Sequence, residues 1–290
     1  MLLINDSKIL SNKILELKKL GRKINFIPTM GNLHSGHLEL VRMGKKNDAV
    51  NLVSIFINPL QFDDKIDFRN YPRTFERDKQ LLFHEDVDLL FSPLPDFVLN
   101  EKHTFDLGNM EKKLCGKFRK GHFEGVSSVI IKFLKLINPD FIFLGEKDFQ
   151  QILVIKKIIQ DLGFNVEVKV IPTVRDEKNI ALSSRNKLLK DISLAVLIPD
   201  TLNQIISEIE NGNFQLSKIN KFKDYLIERG IQEVEYLEIL KERDLNLPNE
   251  EFDFCRIFIA VKIQGIRLID NMRLEKQIKI CNGIYFLKKF

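Results

Sequence analysis

The sequence predicts an α/β protein, a doubly wound parallel sheet followed by a smaller α+β C-terminal domain, and two observations carry that expectation. Short apolar, β-branched runs alternate with amphipathic helical segments as far as about residue 172, the pattern of successive βαβ units. Beyond about residue 175 the alternation gives way to helical segments and then short strands.

Taken in order, Asp6 or Ser7 caps a first helix whose apolar positions Leu10, Ile14, Leu17 and Leu20 repeat at helical spacing, with Gly21 as its stop. A strand over 24–27 ends at Pro28, and a helix begins near Gly36. The run 50–57 is apolar and β-branched, as a strand covered on both faces is. Thr74 opens a helix, 87–91 is a strand, and 125–137 is a strongly apolar helix halted by Asn138-Pro139. A strand over 141–144, a helix over 149–162 closed by Gly163, and a strand over 166–171 closed by Pro172 complete the series. The second domain holds helices over 202–209 and 219–228 and a strand over 256–262.

Length and composition exclude several classes. The 290 residues can bury a substantial core and fill two domains, and the 44% hydrophobic content is broken by charge with no stretch of membrane-spanning length. The N-terminus places Asp6 and Ser7 where a signal peptide needs an apolar run, so no export address is expected. Cys115, Cys255 and Cys281 show no metal or disulfide spacing and fit a reducing cytoplasm. The net charge of +5 is scattered along the chain, unlike a nucleic-acid-binding stripe, and suits a polyanionic small molecule.

Four unusual segments follow predicted strands directly, at the sheet edge where ligands of such folds bind. The first, Pro28-Thr29-Met30-Gly31-Asn32-Leu33-His34-Ser35-Gly36-His37, joins glycines to two histidines at a helix start. Helix N-terminal amides favour an anion there, and imidazole N–H groups can donate to phosphate oxygens. Gly31 and Gly36 have P-loop spacing, but His37-Leu38 replaces the Lys-Ser/Thr pair, so the P-loop reading fails. Zinc ligation by His34 and His37, and simple helix capping by both, remain alternatives at this point. The second segment, 58–62, offers the amides of Asn58 and Gln61 beside a rigid turn. The third, Gly145-Glu146-Lys147-Asp148, places a cation and two acids at a strand end, either to neutralise phosphate or as an exposed charged turn, and the fourth, 172–185, carries Ser183, Ser184 and Arg185, either donors matched to a triphosphate or a helix cap with a surface arginine.

Together these segments resemble the pantothenate synthetase family, within the nucleotidylyltransferase superfamily marked by His-x-Gly-His, here residues 34–37. Further matches lie at 53–62, 71–74 (Tyr-Pro-Arg-Thr), 121–127, 145–151, 172–175, 182–186 and 267–271, in family order over nearly the whole chain. The resemblance implies a Rossmann-like domain over 1–174 that binds ATP and pantoate, a C-terminal lid domain over 175–290, and a cytoplasmic homodimer. It implies that Met30 through His37, Gly145 through Asp148, Val174, and Leu182, Ser183, Ser184 and Arg185 hold ATP, with His37 as proton donor. Gln61 and Gln151 would bind pantoate, and Gln61 β-alanine as well. His34, His37, Lys147, Ser183, Ser184 and Arg185 would stabilise phosphate charge, with magnesium held largely by phosphates and water and its direct ligands unknown. Asp78, after the Tyr-Pro-Arg-Thr segment, is either a helper behind the site or, as the commoner case, an exposed helix acid.

Two departures concern the second domain. Lys178-Asn179 stands where the family commonly has Asp-Gly, so the loss of a glycine stiffens or re-routes that loop unless Asn179 takes the left-handed turn, and the stretch from Lys187 to Thr201 reads as shortened, with Pro199 where a helix is expected, so that helix kinks or restarts there. Two other functions are weighed beside the ligase: a related nucleotidyltransferase acting on another acid or phosphorylated acceptor, and a basic RNA-binding module. The dispersed charge disfavours the latter, and no nucleic acid or membrane partner is expected.

Overall fold

The computed structural model describes residues 1–99, 104–212 and 214–288. The chain divides into two compact units, Met1–Val174 and Arg175–Phe290.

The first unit runs β1 (Leu2–Ile4), α1 (Ser7–Lys19), β2 (Lys23–Thr29), α2 (Ser35–Lys45), β3 (Ala49–Ile55), α3 (Lys65–Asn70) and α4 (Phe75–His84). It continues through β4 (Leu89–Phe91), α5 (Asp96–Leu99), α6 (Leu114–Phe118), α7 (His122–Ile137), β5 (Phe141–Gly145), α8 (Phe149–Asp161) and β6 (Glu167–Ile171). The six strands form one parallel sheet in the order β1-β4-β3-β2-β5-β6. The sheet is doubly wound, as expected.

Both faces are covered, which explains why the strands read as apolar runs rather than alternating ones. Ile27, Val53, Leu90 and Phe143 pack on one side with Leu38 and Val41 of α2 and Leu82 of α4. On the other, Phe133 of α7 lies 5.2 Å from Phe26, 6.1 Å from Phe91 and 5.1 Å from Phe97, ring centre to ring centre. Helix α7 starts at Gly121 and ends at Asn138, both left-handed, and the Lys18 ammonium donates to the exposed Asn138 carbonyl. From β2 the chain winds outward through β3 and β4, then returns to lay β5 on the opposite side of β2. That reversal makes the loops after β2 and β5 the two walls of one crevice.

Strand β1 has no counterpart among the expected elements. It is only three residues long and adds to the sheet edge beside β4, a position set by tertiary pairing rather than local pattern.

In the second unit, α9 (Leu197–Glu210) and α10 (Lys218–Glu228) precede an antiparallel sheet of β7 (Glu233–Lys241), β8 (Cys255–Ile263) and β9 (Ile266–Arg273) and a hairpin of β10 (Ile278–Cys281) and β11 (Ile284–Leu287). Leu202, Ile205 and Ile209 of α9 pack with Ile257, Ile259 and Val261 of β8 in one apolar core. The hairpin turn Asn282-Gly283 has positive φ at both residues (49° and 74°), the geometry for which Asn-Gly is the local sequence signal.

The two departures resolve locally. Asn179 sits at φ 64°, so it adopts the left-handed turn that glycine would otherwise provide. Asp176 braces that turn by accepting the amides of Lys178 at 3.0 Å and Ile180 at 2.8 Å. Pro199 is the third residue of α9, inside the first turn, where a missing N–H costs no intrahelical bond; the helix starts there rather than kinking. No described helix is long and apolar enough to cross a membrane.

Candidate active site

The loop after β2 is built from backbone geometry that few residues accept. Gly31 (φ 78°) and Asn32 (φ 47°) are both left-handed, and Thr29 closes the approach, its hydroxyl donating to Ser54 O at 2.7 Å and accepting from Gly31 N at 3.2 Å. Beneath them lies Asp78, fully buried. Its carboxylate accepts the amides of Asn32 at 2.7 Å and Leu33 at 2.9 Å, and the Thr74 hydroxyl at 3.0 Å. Of the two readings of Asp78 the exposed helix acid is excluded: α4 turns the carboxylate into the sheet edge, where it binds the backbone of the loop from behind. A β-carbon on Gly31 would stand 3.1 Å from that carboxylate, which is why the position takes glycine.

The two histidines cap the helix and do more than cap it. His34 is the N-cap of α2, and its Nδ1 accepts from Gly36 N at 3.2 Å, while His37 Nδ1 accepts from His34 N at 3.3 Å. An imidazole nitrogen that accepts from an amide carries no proton, so in each neutral ring the hydrogen is on Nε2. The rings lie 4.1 Å apart and both offer an N–H donor at the helix N-terminus. Zinc gains nothing from this arrangement, since both Nδ1 atoms are engaged and no group of three metal-ligating side chains occurs among the described residues.

Burial first, and the Lys147 ammonium second, push the His37 pKa down from 6.5 to about 4. The imidazole is thus neutral across the physiological range. Between 6.5 and about 4 the unfolded chain binds a proton that the folded one refuses, so the stability from this group is complete above 6.5 and declines as pH falls through that window. An NMR titration of the ligand-free protein should show the His37 ring midpoint near 4; a midpoint near 6.5 would refute the burial and the proximity of Lys147.

Lys147 stands in the short turn after β5, its side chain 17% exposed and its Nζ 3.3 Å from Asp148 Oδ2. The switch between β2 and β5 is what brings it to the histidines. Val174 approaches from the end of β6, its Cβ 3.9 Å from where a side chain on Gly36 would begin.

Gln61 closes a turn after β3 and is almost fully buried. Asn58 Nδ2 donates to its Oε1 at 3.1 Å, and its Nε2 points to Met30 Sδ at 2.8 Å. Helix α7 presses against this turn so closely that a β-carbon on Gly125 would fall 2.2 Å from Leu60 O. Gln150 and Gln151, adjacent in sequence, have separate fates. Gln150 is buried and its amide is consumed by the backbone of 110–115, whereas the Gln151 amide makes no hydrogen bond to the described residues.

In the second unit, Ser183 Oγ accepts from Arg185 N at 3.3 Å, and Asn186 ties the same turn by donating to Ala181 O at 3.0 Å. Two sequence motifs meet here: Arg175 grips Asp270 with both terminal nitrogens, at 2.7 and 3.0 Å, and the Asp270 side chain is 1% exposed. Sequence reasoning singled out both segments without seeing that they pair, because 95 residues separate them.

Residues 3–273 match the family model of pantoate-β-alanine ligase. The chain is 39% identical over 285 residues to a pantothenate synthetase of Buchnera aphidicola subsp. Schizaphis graminum, covering 94% of this chain and 99% of that protein. Among solved structures, pantothenate synthetase from Thermus thermophilus superposes with a TM-score of 0.84 at 33% identity, covering 94% of this chain and 99% of its own. Pantoate-β-alanine ligase from Francisella tularensis, described as complexed with β-γ ATP and β-alanine, gives 0.77 at 33% identity over 95% and 98%. With its six-stranded parallel sheet and its histidine-capped loop in place, this chain belongs to the pantoate-β-alanine ligase family.

Proposed function

We infer that the chain joins pantoate to β-alanine at the expense of ATP, releasing AMP and pyrophosphate, through a pantoyl-adenylate. One observation carries the chemical reading: at the switch point two Nε2–H imidazoles gather at a helix N-terminus, and Lys147 is near enough to depress the His37 pKa. Such a cluster serves a polyanion, and a pantoate-β-alanine ligase relative is described with an ATP compound and β-alanine bound.

In the first step a pantoate carboxylate oxygen attacks the α-phosphorus, and the bond to the pyrophosphate oxygen breaks with its electron pair leaving on pyrophosphate. In the second, the β-alanine amine attacks the acyl carbon, AMP leaves, and the nitrogen loses a proton. The chain contributes position and charge rather than a covalent nucleophile. His34 and His37 donate through Nε2–H to phosphate oxygens, and Lys147 meets the charge that develops as pyrophosphate departs. A bound polyanion raises the proton affinity of His37, so the ring takes a second proton from solvent onto Nδ1, giving up the His34 amide contact, and as imidazolium can then supply one through Nε2.

Met30 through His37, Gly145 through Asp148 and Val174 form the nucleotide-binding part of residues 1–174; Gln61 and Gln151 hold pantoate, and Gln61 also β-alanine. For residues 175–290 the role is that of a lid, with Leu182, Ser183, Ser184 and Arg185 serving the nucleotide. Magnesium would be held largely by phosphate oxygens and water, as suits an ion that dehydrates reluctantly. The protein works as a cytoplasmic homodimer on small-molecule substrates.

The test is exchange of labelled pyrophosphate into ATP. It should require pantoate, and pantothenate should form only when β-alanine is added. Folded protein that shows no exchange with pantoate, or exchanges far better with another acid, overturns the reading.

A further inference from the structure

Gln61 and Gln151 lie on different elements, and something must hold their amides in register for one small acid. The segment from Met110 to His122 is bonded to both elements, to Gln61 itself at one end and to Gln150, the neighbour of Gln151, at the other. At one end Gln150, next to Gln151 on α8, accepts the Cys115 amide at 2.9 Å and donates to Met110 O at 2.8 Å and Lys113 O at 2.9 Å. A primary amide has two donors and an acceptor, so this buried side chain is fully committed to one loop. That loop is tight: Leu114 sits at φ 43°, and a β-carbon on Gly116 would come within 2.7 Å of Met110 O.

At the other end, His122 Nδ1 lies 2.7 Å and Arg119 Nη2 3.2 Å from the Gln61 carbonyl. Arg119 Nη1 is 3.1 Å from His122 Nε2, and Arg119 Nε donates to Asp63 at 3.2 Å. A carbonyl can only accept and a guanidinium can only donate, so His122 is the Nδ1–H tautomer, with both nitrogens engaged. These bonds of the imidazole run to the backbone of Gln61 and to Arg119.

We propose that Gln150, His122 and Arg119 are positioning residues, and that residues 110–122 form a brace setting the distance between the Gln61 and Gln151 amides and hence the fit to pantoate. The proposal rests on the reading of those two glutamines as the pantoate ligands. The bonds of the brace run to Gln61, Asp63 and Gln150 and not directly to the loops after β2 and β5 assigned to the nucleotide; Met30 is reached only through the Gln61 side chain, so pantoate responds more than ATP.

The test is steady-state kinetics with pantoate and ATP varied in turn. His122→Gln keeps bulk and polarity but moves the donor from the Nδ1 to the Nε2 position, and should raise the pantoate KM by about tenfold or more while the ATP KM stays within about twofold. His122→Asn, whose amide places a donor near the Nδ1 position, should recover most of that loss. Gln150→Glu, which sets a carboxylate against two carbonyls, should repeat the pantoate-selective effect from the other end; if one variant fails to fold, the other decides. A pantoate KM within about threefold of wild type in a folded variant, or an equal rise for ATP, overturns the brace. Gln61→Ala and Gln151→Ala are the reference: an unchanged pantoate KM in both would remove the ligand assignment itself, whatever His122 and Gln150 do.

Discussion

Lys147→Ala should lower adenylate formation by roughly a hundredfold or more, the usual cost of removing a donor that meets transition-state charge. The side chain is mostly shielded from solvent, and it pairs with the half-exposed Asp148 at 3.3 Å. Folding does not depend on so loose a pair. Thermal unfolding followed beside activity separates any loss of fold, and pyrophosphate exchange measured at saturating ATP and pantoate isolates the chemical step. His37 needs a subtler replacement, because its Nδ1 also caps the helix. His37→Asn can retain an acceptor for the His34 amide while deleting the Nε2 donor, and a comparable fall in exchange is expected. Wild-type exchange in either folded variant would refute the role given to that residue.

Asp78→Asn should damage both fold and chemistry. The buried carboxylate takes two amides and a hydroxyl, and bonds to a charged acceptor are worth roughly 1.5–3 kcal/mol each. The substitution leaves one acceptor and turns an NH2 group toward donors that had been satisfied. A loss of roughly 2–4 kcal/mol in urea unfolding is expected, with exchange activity falling further than stability does because Gly31 and Asn32 lose the anchor for their left-handed backbone. Unchanged stability would show that the loop holds itself.

Asp78 also marks a limit of sequence reading. An acid in the first turn of a helix is ordinarily a solvated dipole partner, and nothing local distinguishes it from Glu76 two residues earlier. Burial of one and not the other follows from the way α4 lies against the β2 loop, a packing fact. Gln150 and Gln151 make the same point: neighbours of identical chemistry lie about 100° apart around a helix, so one is buried against the 110–115 backbone and the other stays partly exposed. The histidines show the opposite limit. Phosphate site and helix cap stand as rival meanings in the sequence, yet capping through Nδ1 is what directs Nε2–H outward.

Local pattern by itself determined the alternation of strand and helix, the parallel sheet, the loops that carry chemistry and the family resemblance, because periodicity, turn residues and motif order are properties of neighbours along the chain. Tertiary structure alone decided that β1 joins the sheet edge, that Asp78 is buried, that Arg175 grips Asp270, and that residues 110–122 tie Gln150 to Gln61. Each of those contacts closes a loop of tens of residues, and its energy comes from burial and hydrogen bonds that exist only once the distant partner has arrived.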